Sequence, residues 1–281
     1  MQSIFSRPIT RIVRVLITII VVVTSLLGPA IAADVARDIR GGRQDEGADF
    51  AGYIEIGTHA AVGQIPVVGA ENAEVRLTLG GHVRAKGFFL DFLTESYNRG
   101  QVGYNLYSGD TWSFDLIATG SPDGIDTTLS NELDGLRDRS GAVESGLRVT
   151  GFTGPLIVQF EALSDISGEH DGGILSGSVA RSYLWRNWNV HWLLGARYLS
   201  SETTNFLFGV DASEASERFP EFSAGAGVTY VTEIGATLPL NQYFVFRGTA
   251  RYWSLPDSIA NSPFIEDDNY SEVSGSVVFV Y

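Results

Sequence analysis

The 281-residue chain contains no cysteine, a single methionine at position 1 and a single lysine, Lys86. Without cysteine there is no disulfide framework, no thiol nucleophile and no haem-thiolate site. With Lys86 as the only lysine, a Ser-x-x-Lys nucleophile pair cannot be assembled either. Positive charge is scarce throughout, with 19 basic residues against 33 acidic ones and a net charge of −14. A chain that acidic does not offer the basic surface that nucleic-acid phosphates require. Charged residues total 19%, below the usual quarter. A disordered acidic chain would be poor in aromatics, whereas this one has 16 Phe, 11 Tyr and 5 Trp beside 32 Gly. Its length suits one large domain or two ordinary ones.

Long apolar runs are confined to the start. Arg7, Arg11 and Arg14 precede an uncharged core from Val15 to Leu27, Gly28-Pro29 breaks it, and Ala30-Ile31-Ala32 supplies a small-x-small cleavage pattern. This is the layout of a secretory signal peptide over residues 1–32. The competing reading is a retained anchor, because the uncharged stretch to Ala33 approaches spanning length. Removing residues 1–32 takes away three Arg and no acid, which moves the net charge from −14 to −17. Residues 33–49 form a polar lead-in. No later segment has the long apolar run that a membrane helix needs.

From residue 50 onward the sequence is written in period two. Trp188, Val190, Trp192, Leu194, Ala196 and Tyr198 alternate with Asn189, His191, Leu193, Gly195 and Arg197. Successive strand side chains face opposite sides, so one face is apolar and the other mostly polar or small. The pattern repeats in Trp112 to Thr119, Leu156 to Leu163, Val75 to Arg84 and Phe244 to Trp253. One residue breaks it. Arg181 falls on the apolar parity of its segment, which a side chain snorkelling near an interface would accommodate.

Alternation fits either a soluble sandwich, whose apolar face is the core, or an outer-membrane barrel, whose apolar face meets lipid. Three features favour the barrel. Trp188 and Tyr198 bracket one face, and ten residues at about 3.3 Å with a tilt near 40° span roughly 25 Å, the height of a lipid-facing band. The opposite faces carry both signs of charge, and Arg76, Arg84, Glu144, Arg148, Glu161, Arg197, Glu233, Arg247 and Arg251 are expected to line and plug the lumen. The chain also ends inside a strand, with Val277, Phe279 and Tyr281 on one parity. Such a terminus resembles the signal read by the outer-membrane barrel assembly machinery.

The expected fold is therefore all-β. It is a transmembrane, up-and-down antiparallel barrel over residues 50–281, with strands near 51–59, 74–84, 86–93, 100–107, 111–119, 142–151, 154–164, 174–185, 188–199, 226–238, 242–254 and 271–281. Twelve strands give the even number such barrels have; ten is the alternative if the pair around 86–107 merges. Residues 120–141, 200–225 and 255–270 form longer connections, and VDASEASERF in the second is compatible with a short helix.

No catalytic, cofactor or metal site is expected. The four histidines, at 59, 82, 170 and 191, lack metal-ligand spacing, and no Gly-x-Ser-x-Gly elbow occurs. Ala224-Gly225-Ala226-Gly227 reads as close strand packing rather than a phosphate loop. His170, flanked by Glu169 and Asp171, is the best candidate for a rim site, but no nucleophile accompanies it.

Three blocks resemble the MipA/OmpV family, named after the MltA-interacting protein. Phe208-Gly209-Val210, Ala224-Gly225-Ala226-Gly227, Leu238-Pro239-Leu240 and Ala260-Asn261-Ser262-Pro263 follow the family's C-terminal pattern. GFFLDFLTESYNRGQVGYNLYSG resembles its phenylalanine-rich strand pair, and SDISGEHDGGILSGSVARSYLW resembles its Gly-His-Gly turn. The departures are Glu169-His170-Asp171 in that turn, and Phe264 where Ile or Val is usual. The resemblance implies an outer-membrane location among lipid and assembly by the barrel machinery. It also implies a scaffolding role joining a lytic transglycosylase to a penicillin-binding protein. A narrow channel or a surface adhesin is the alternative.

Overall fold

Alternation can satisfy both faces of a sheet only if the sheet closes, because an open edge would leave backbone donors and acceptors unpaired in lipid. The computed structural model describes residues 50–92, 100–120, 130–139 and 141–281, and closes in that way. Twelve antiparallel strands form one barrel in sequence order, with the first paired to the last. They are β1 (Phe50–Gln64), β2 (Ala73–Ala85), β3 (Phe88–Phe92), β4 (Gln101–Ser108), β5 (Trp112–Gly120), β6 (Val143–Thr153), β7 (Leu156–Asp165), β8 (Gly173–Trp185), β9 (Trp188–Leu199), β10 (Gly227–Pro239), β11 (Phe244–Ser254) and β12 (Asn269–Val280). Phe88–Phe92 and Gln101–Ser108 are two separate, paired strands, so the count is twelve. The signal peptide 1–32 and the lead-in 33–49 lie outside the described residues.

The seam shows what the terminal aromatics do in the folded chain. β1 and β12 pair from Glu55 opposite Val280 to Gln64 opposite Ser271. Tyr281 extends this ladder, exchanging backbone hydrogen bonds of 2.9 and 3.0 Å with Ile54. Phe279 faces outward against the rings of Tyr243 and Phe244, at 5.8 and 5.5 Å. Deleting residues 279–281 removes the end of the seam and its aromatic clasp. The expected result is loss of the heat-modifiable folded form on electrophoresis, while Ser276→Ala, which keeps the ladder, retains it. Normal folding of both variants would show that the seam needs no such closure.

Connection lengths sort cleanly by end. The turns 86–87, 109–111, 154–155, 186–187 and 240–243 lie at the end that holds both Phe50 and Tyr281. Lys86 and Gly87, with φ of 49° and 87°, give the first of these the left-handed backbone of a tight hairpin. The other six connections, 65–72, 93–100, 121–142, 166–172, 200–226 and 255–268, lie at the opposite end. Barrels of this class keep short turns in the periplasm and long loops outside, which orients the molecule.

The long loops fold together. Val67, Leu133, Leu136, Val210, Phe219, Phe264 and Ile265, from four connections, make one buried apolar cluster. The expected helix is displaced. VDASEASERF holds a turn and a bridge between Val210 and Phe222, and the helix α1 is Ser201–Phe208 instead. Ser200 accepts from Thr203 N–H at 3.3 Å as its N-cap,. Phe206 and Leu207 then land on Ile174 and Leu199 at the barrel mouth. Between Val210 and Phe219 the only apolar residues of VDASEASERF are Ala212 and Ala215, too small to give a helix a face to dock. A second short helix, α2 (Asp257–Ala260), adds Ile259 to the same cluster.

Candidate functional site

Because side chains alternate, each strand sends every second residue inward, and the inward residues are where this protein concentrates charge. Asn105, Asp115, Arg148, Glu161, Ser176 and Arg197 are each directly opposite the next across neighbouring strands. They form a row of polar and oppositely charged groups running part of the way round the inner wall, the arrangement that cross-strand pairing favours. Asp115 accepts from Asn105 Nδ2 at 2.6 Å and from Arg148 Nε at 3.1 Å. The Arg148 guanidinium lies 5.1 Å from the centre of the Phe89 ring, within cation–π range. Glu161 accepts from Gln159 and Ser176, both at 3.0 Å.

Three further centres flank this row. Arg247 donates to both oxygens of Glu55 at 2.8 Å, a two-pronged bond,. Gly80 leaves room for it, since a Cβ there would stand 2.7 Å from Glu55 Oε1. Glu233 bonds His191 Nε2 at 2.8 Å through one oxygen and accepts from Arg251 Nε at 2.5 Å through the other. His82 bonds Asp91, which also accepts from Gln101 at 3.4 Å.

These side chains are buried. Glu55, His82, Arg84, Asp91, Asp115, Glu144, Arg148, Glu161, His191, Glu233 and Arg251 are each less than a tenth exposed, and Asp115 and Arg148 are at 0%. A bore wide enough for water would wet the residues lining it, so this section of the interior is packed with paired charge. Arg197, with Glu144, Glu161, Gln101 and Ile174, borders a cavity of about 10 Å³, the space of a single water. Of the residues singled out in the sequence, Arg84, Glu144, Arg148, Glu161, Glu233 and Arg251 lie in the buried interior, and Arg197 and Arg247 are partly covered. Arg76 has inward parity but stands at the extracellular rim, half-exposed, 3.6 Å from Glu74. Sequence reasoning missed Glu55 and Asp115, which pair with Arg247 and Arg148, and Asp91, which pairs with His82.

The mouth is closed by a second set of contacts. His170 is buried, and Gly172 N–H donates to its Nδ1 at 3.0 Å. The ring proton is therefore on Nε2, aimed at Glu144 at 3.5 Å. Asp165 holds the turn by accepting from the backbone of Ser167, His170 and Asp171. Thr203 Oγ1 lies 3.4 Å from His170 Nδ1, which gives the outline of a hydroxyl–imidazole–carboxylate relay. That hydroxyl is fully buried and shared with Ser200 and Gly173, and Nδ1 is already occupied. The arrangement latches a loop, α1 and β6 together and presents nothing to a substrate.

Above it Arg139 is fully buried, donating to Gly209 O at 2.9 Å and Glu214 Oε2 at 2.7 Å, with its guanidinium over the Phe264 ring. Burial lowers the pKa of this guanidinium and Glu214 opposes the shift; at physiological pH an arginine stays charged. The apolar residues in each long connection were the available sequence signal for this cap. Among the described residues no group of three His, Cys, Asp or Glu could hold a metal ion.

The profile of a family described as "MltA-interacting protein MipA" matches residues 56–281. The outer membrane protein OmpV of Vibrio cholerae is 25% identical over 197 residues, covering 66% of this chain and 74% of that protein. The outer membrane protein Omp26La of Vibrio anguillarum is 24% identical over 180 residues, covering 63% and 70%. Among solved structures, Pseudomonas putida OprB aligns at a TM-score of 0.42 and 7% identity, over 83% of this chain and 94% of that one.

Proposed function

The chain belongs to the MltA-interacting protein family and is an outer-membrane β-barrel, and from that premise we propose that it is a closed, non-enzymatic barrel that holds cell-wall enzymes at the outer membrane. The observation that carries this reading is the burial of its inward charges beneath a packed loop cap. A pore must spend its lumen on water, whereas a barrel that only anchors can fill it. The family's name supports a lytic transglycosylase as one partner, and the resemblance noted above adds a penicillin-binding protein.

The periplasmic face narrows where such a partner could grip. Its five turns have two to four residues each, too few for a standard interface of 20–30 residues a side. The polar lead-in 33–49, which precedes β1 in the chain, carries Asp34, Arg37, Asp38, Arg40, Arg43, Asp45, Glu46 and Asp49, and is the proposed docking segment. Val277, Phe279 and Tyr281 are the residues proposed to be read by the assembly machinery before the seam closes.

The test is affinity capture from cross-linked, detergent-solubilised envelopes, comparing the full mature barrel with one lacking residues 33–49. The full barrel should enrich lytic transglycosylase activity and penicillin-labelled protein, the truncated one neither, and the full barrel should give no conductance steps in planar bilayers. No enrichment over an unrelated outer-membrane barrel overturns the docking reading. Regular conductance steps would instead favour the narrow channel.

A further inference from the structure

Across the outward-facing positions of the twelve described strands, one side chain is charged, and it is Arg181 on β8. Its cross-strand neighbours are Leu156 and Trp192, and its own strand presents Val179 and Tyr183 on the same face. A guanidinium at mid-bilayer is strongly unfavourable and near an interface it is tolerated, so its depth decides its role.

Two observations set that depth. Leu156 is the first residue of β7, so Arg181 stands level with the periplasmic end of that neighbour, beside the turn 154–155. The side chain also points toward the periplasm: its guanidinium lies 4.3 Å from the ring centre of Tyr183, which is nearer the β8–β9 turn. Among the described residues its guanidinium makes no hydrogen bond or ion pair; Nε is covered by the protein, whereas the terminal nitrogens are not among the buried atoms. Five residues further on, Arg186 in the turn lies 5.6 Å from the Trp185 ring centre. Arg181 is opposite Trp192, four residues inside Trp188, so its guanidinium reaches past Tyr183 toward the inner-leaflet headgroups, and Arg186 sits at their level against Trp185,.

We propose that Arg181, with Tyr183 and Arg186, is a binding site for the phosphate of an anionic phospholipid in the periplasmic leaflet. Phosphate oxygens supply acceptors for the terminal nitrogens of Arg181, and the acyl chains lie on Leu156, Val158 and Val179. Anionic lipid is favoured over zwitterionic lipid because the described residues around the site hold no carboxylate for a headgroup ammonium. The outward faces of the strands carry none, and the turns 154–155, 186–187 and 240–243 have no acid. The acids of the connections lie instead in the extracellular loops, apart from Asp110 in the turn 109–111.

The mature barrel is reconstituted into nanodiscs of equal parts phosphatidylglycerol and phosphatidylcholine, and lipids retained after detergent extraction are counted by native mass spectrometry. The wild type should retain phosphatidylglycerol about fivefold over phosphatidylcholine, the preference of one basic side chain at an anionic surface. Arg181→Gln should abolish the preference while the heat-modifiable folded form persists, and Tyr183→Leu should weaken it. Excess inorganic phosphate should not displace the lipid. If Arg181→Gln does not fold, Arg181→Lys and Tyr183→Leu carry the comparison, each expected below wild type. A wild type without preference, a preference unchanged in these variants, or complete displacement by inorganic phosphate would overturn the site. A dimer that dissociates on substitution of Arg181 would overturn it too, assigning the residue to contact between copies.

Discussion

Asp115→Ala will lower the stability of the barrel by about 3–5 kcal/mol, the cost of leaving a buried charge without its partner. Arg148 is at 0% exposure and its Nε faces Asp115 at 3.1 Å, so it cannot turn to water when the carboxylate goes. Glu161, opposite Arg148 across the other strand, offers a second countercharge, which sets the lower part of that range. Asn105 loses an acceptor at the same time. The double variant Asp115→Leu with Arg148→Met removes both charges at similar volume and should cost less than either single change. Equilibrium urea unfolding in lipid vesicles reads all three. The exposed pair of Arg218 and Glu132 in the cap gives the contrast: Arg218→Ala should fall within about 1 kcal/mol of wild type. Equal effects at both sites would mean that the lumen is wetter than its burial indicates.

The same pairs mark where sequence reading stopped. The strands were legible because a wall with lipid on one side and packed polar groups on the other imposes period two on each strand separately. Which acid meets which base was not legible. Glu55 and Arg247 are 192 positions apart and meet only because β1 closes on β12, a long-range event with no local signature. Inward polarity also understates crowding. His191 reads as one of several replaceable polar residues, yet a Cβ on Gly235 would stand 2.5 Å from its ring, and Glu233 already bonds it. A larger cation there would overpack the site. The cap was missed for a related reason: its apolar residues are scattered, one or two per connection, and carry no period. Arg181 was visible as an exception to the pattern, but which way its side chain turns depends on Tyr183 and the barrel around it.

Phe264 is where the cap can be separated from the barrel. It is fully buried, packs with Val67, Leu133, Val210 and Phe219, and lies beneath Arg139. Its backbone carbonyl accepts from Val68 N–H at 3.0 Å, tying two loops together. Phe264→Ala should therefore cost about 3–5 kcal/mol. That loss falls on a small unit built from loops, which unfold locally at lower free energy than the strands beneath them. The expected phenotype is a barrel that keeps its strands and heat-modifiability while proteases cut within 130–139 and 200–226. Exposed Glu217→Ala, which touches none of the apolar cluster, should leave cleavage unchanged. Proteolysis of intact cells adds the orientation, because cleavage from outside requires these loops to be extracellular. If Phe264→Ala instead unfolds cap and strands together, the cap is part of the barrel's own cooperative core. If it changes cleavage at neither loop, the apolar cluster does not hold the mouth closed, and the packed lumen below it must exclude solutes alone.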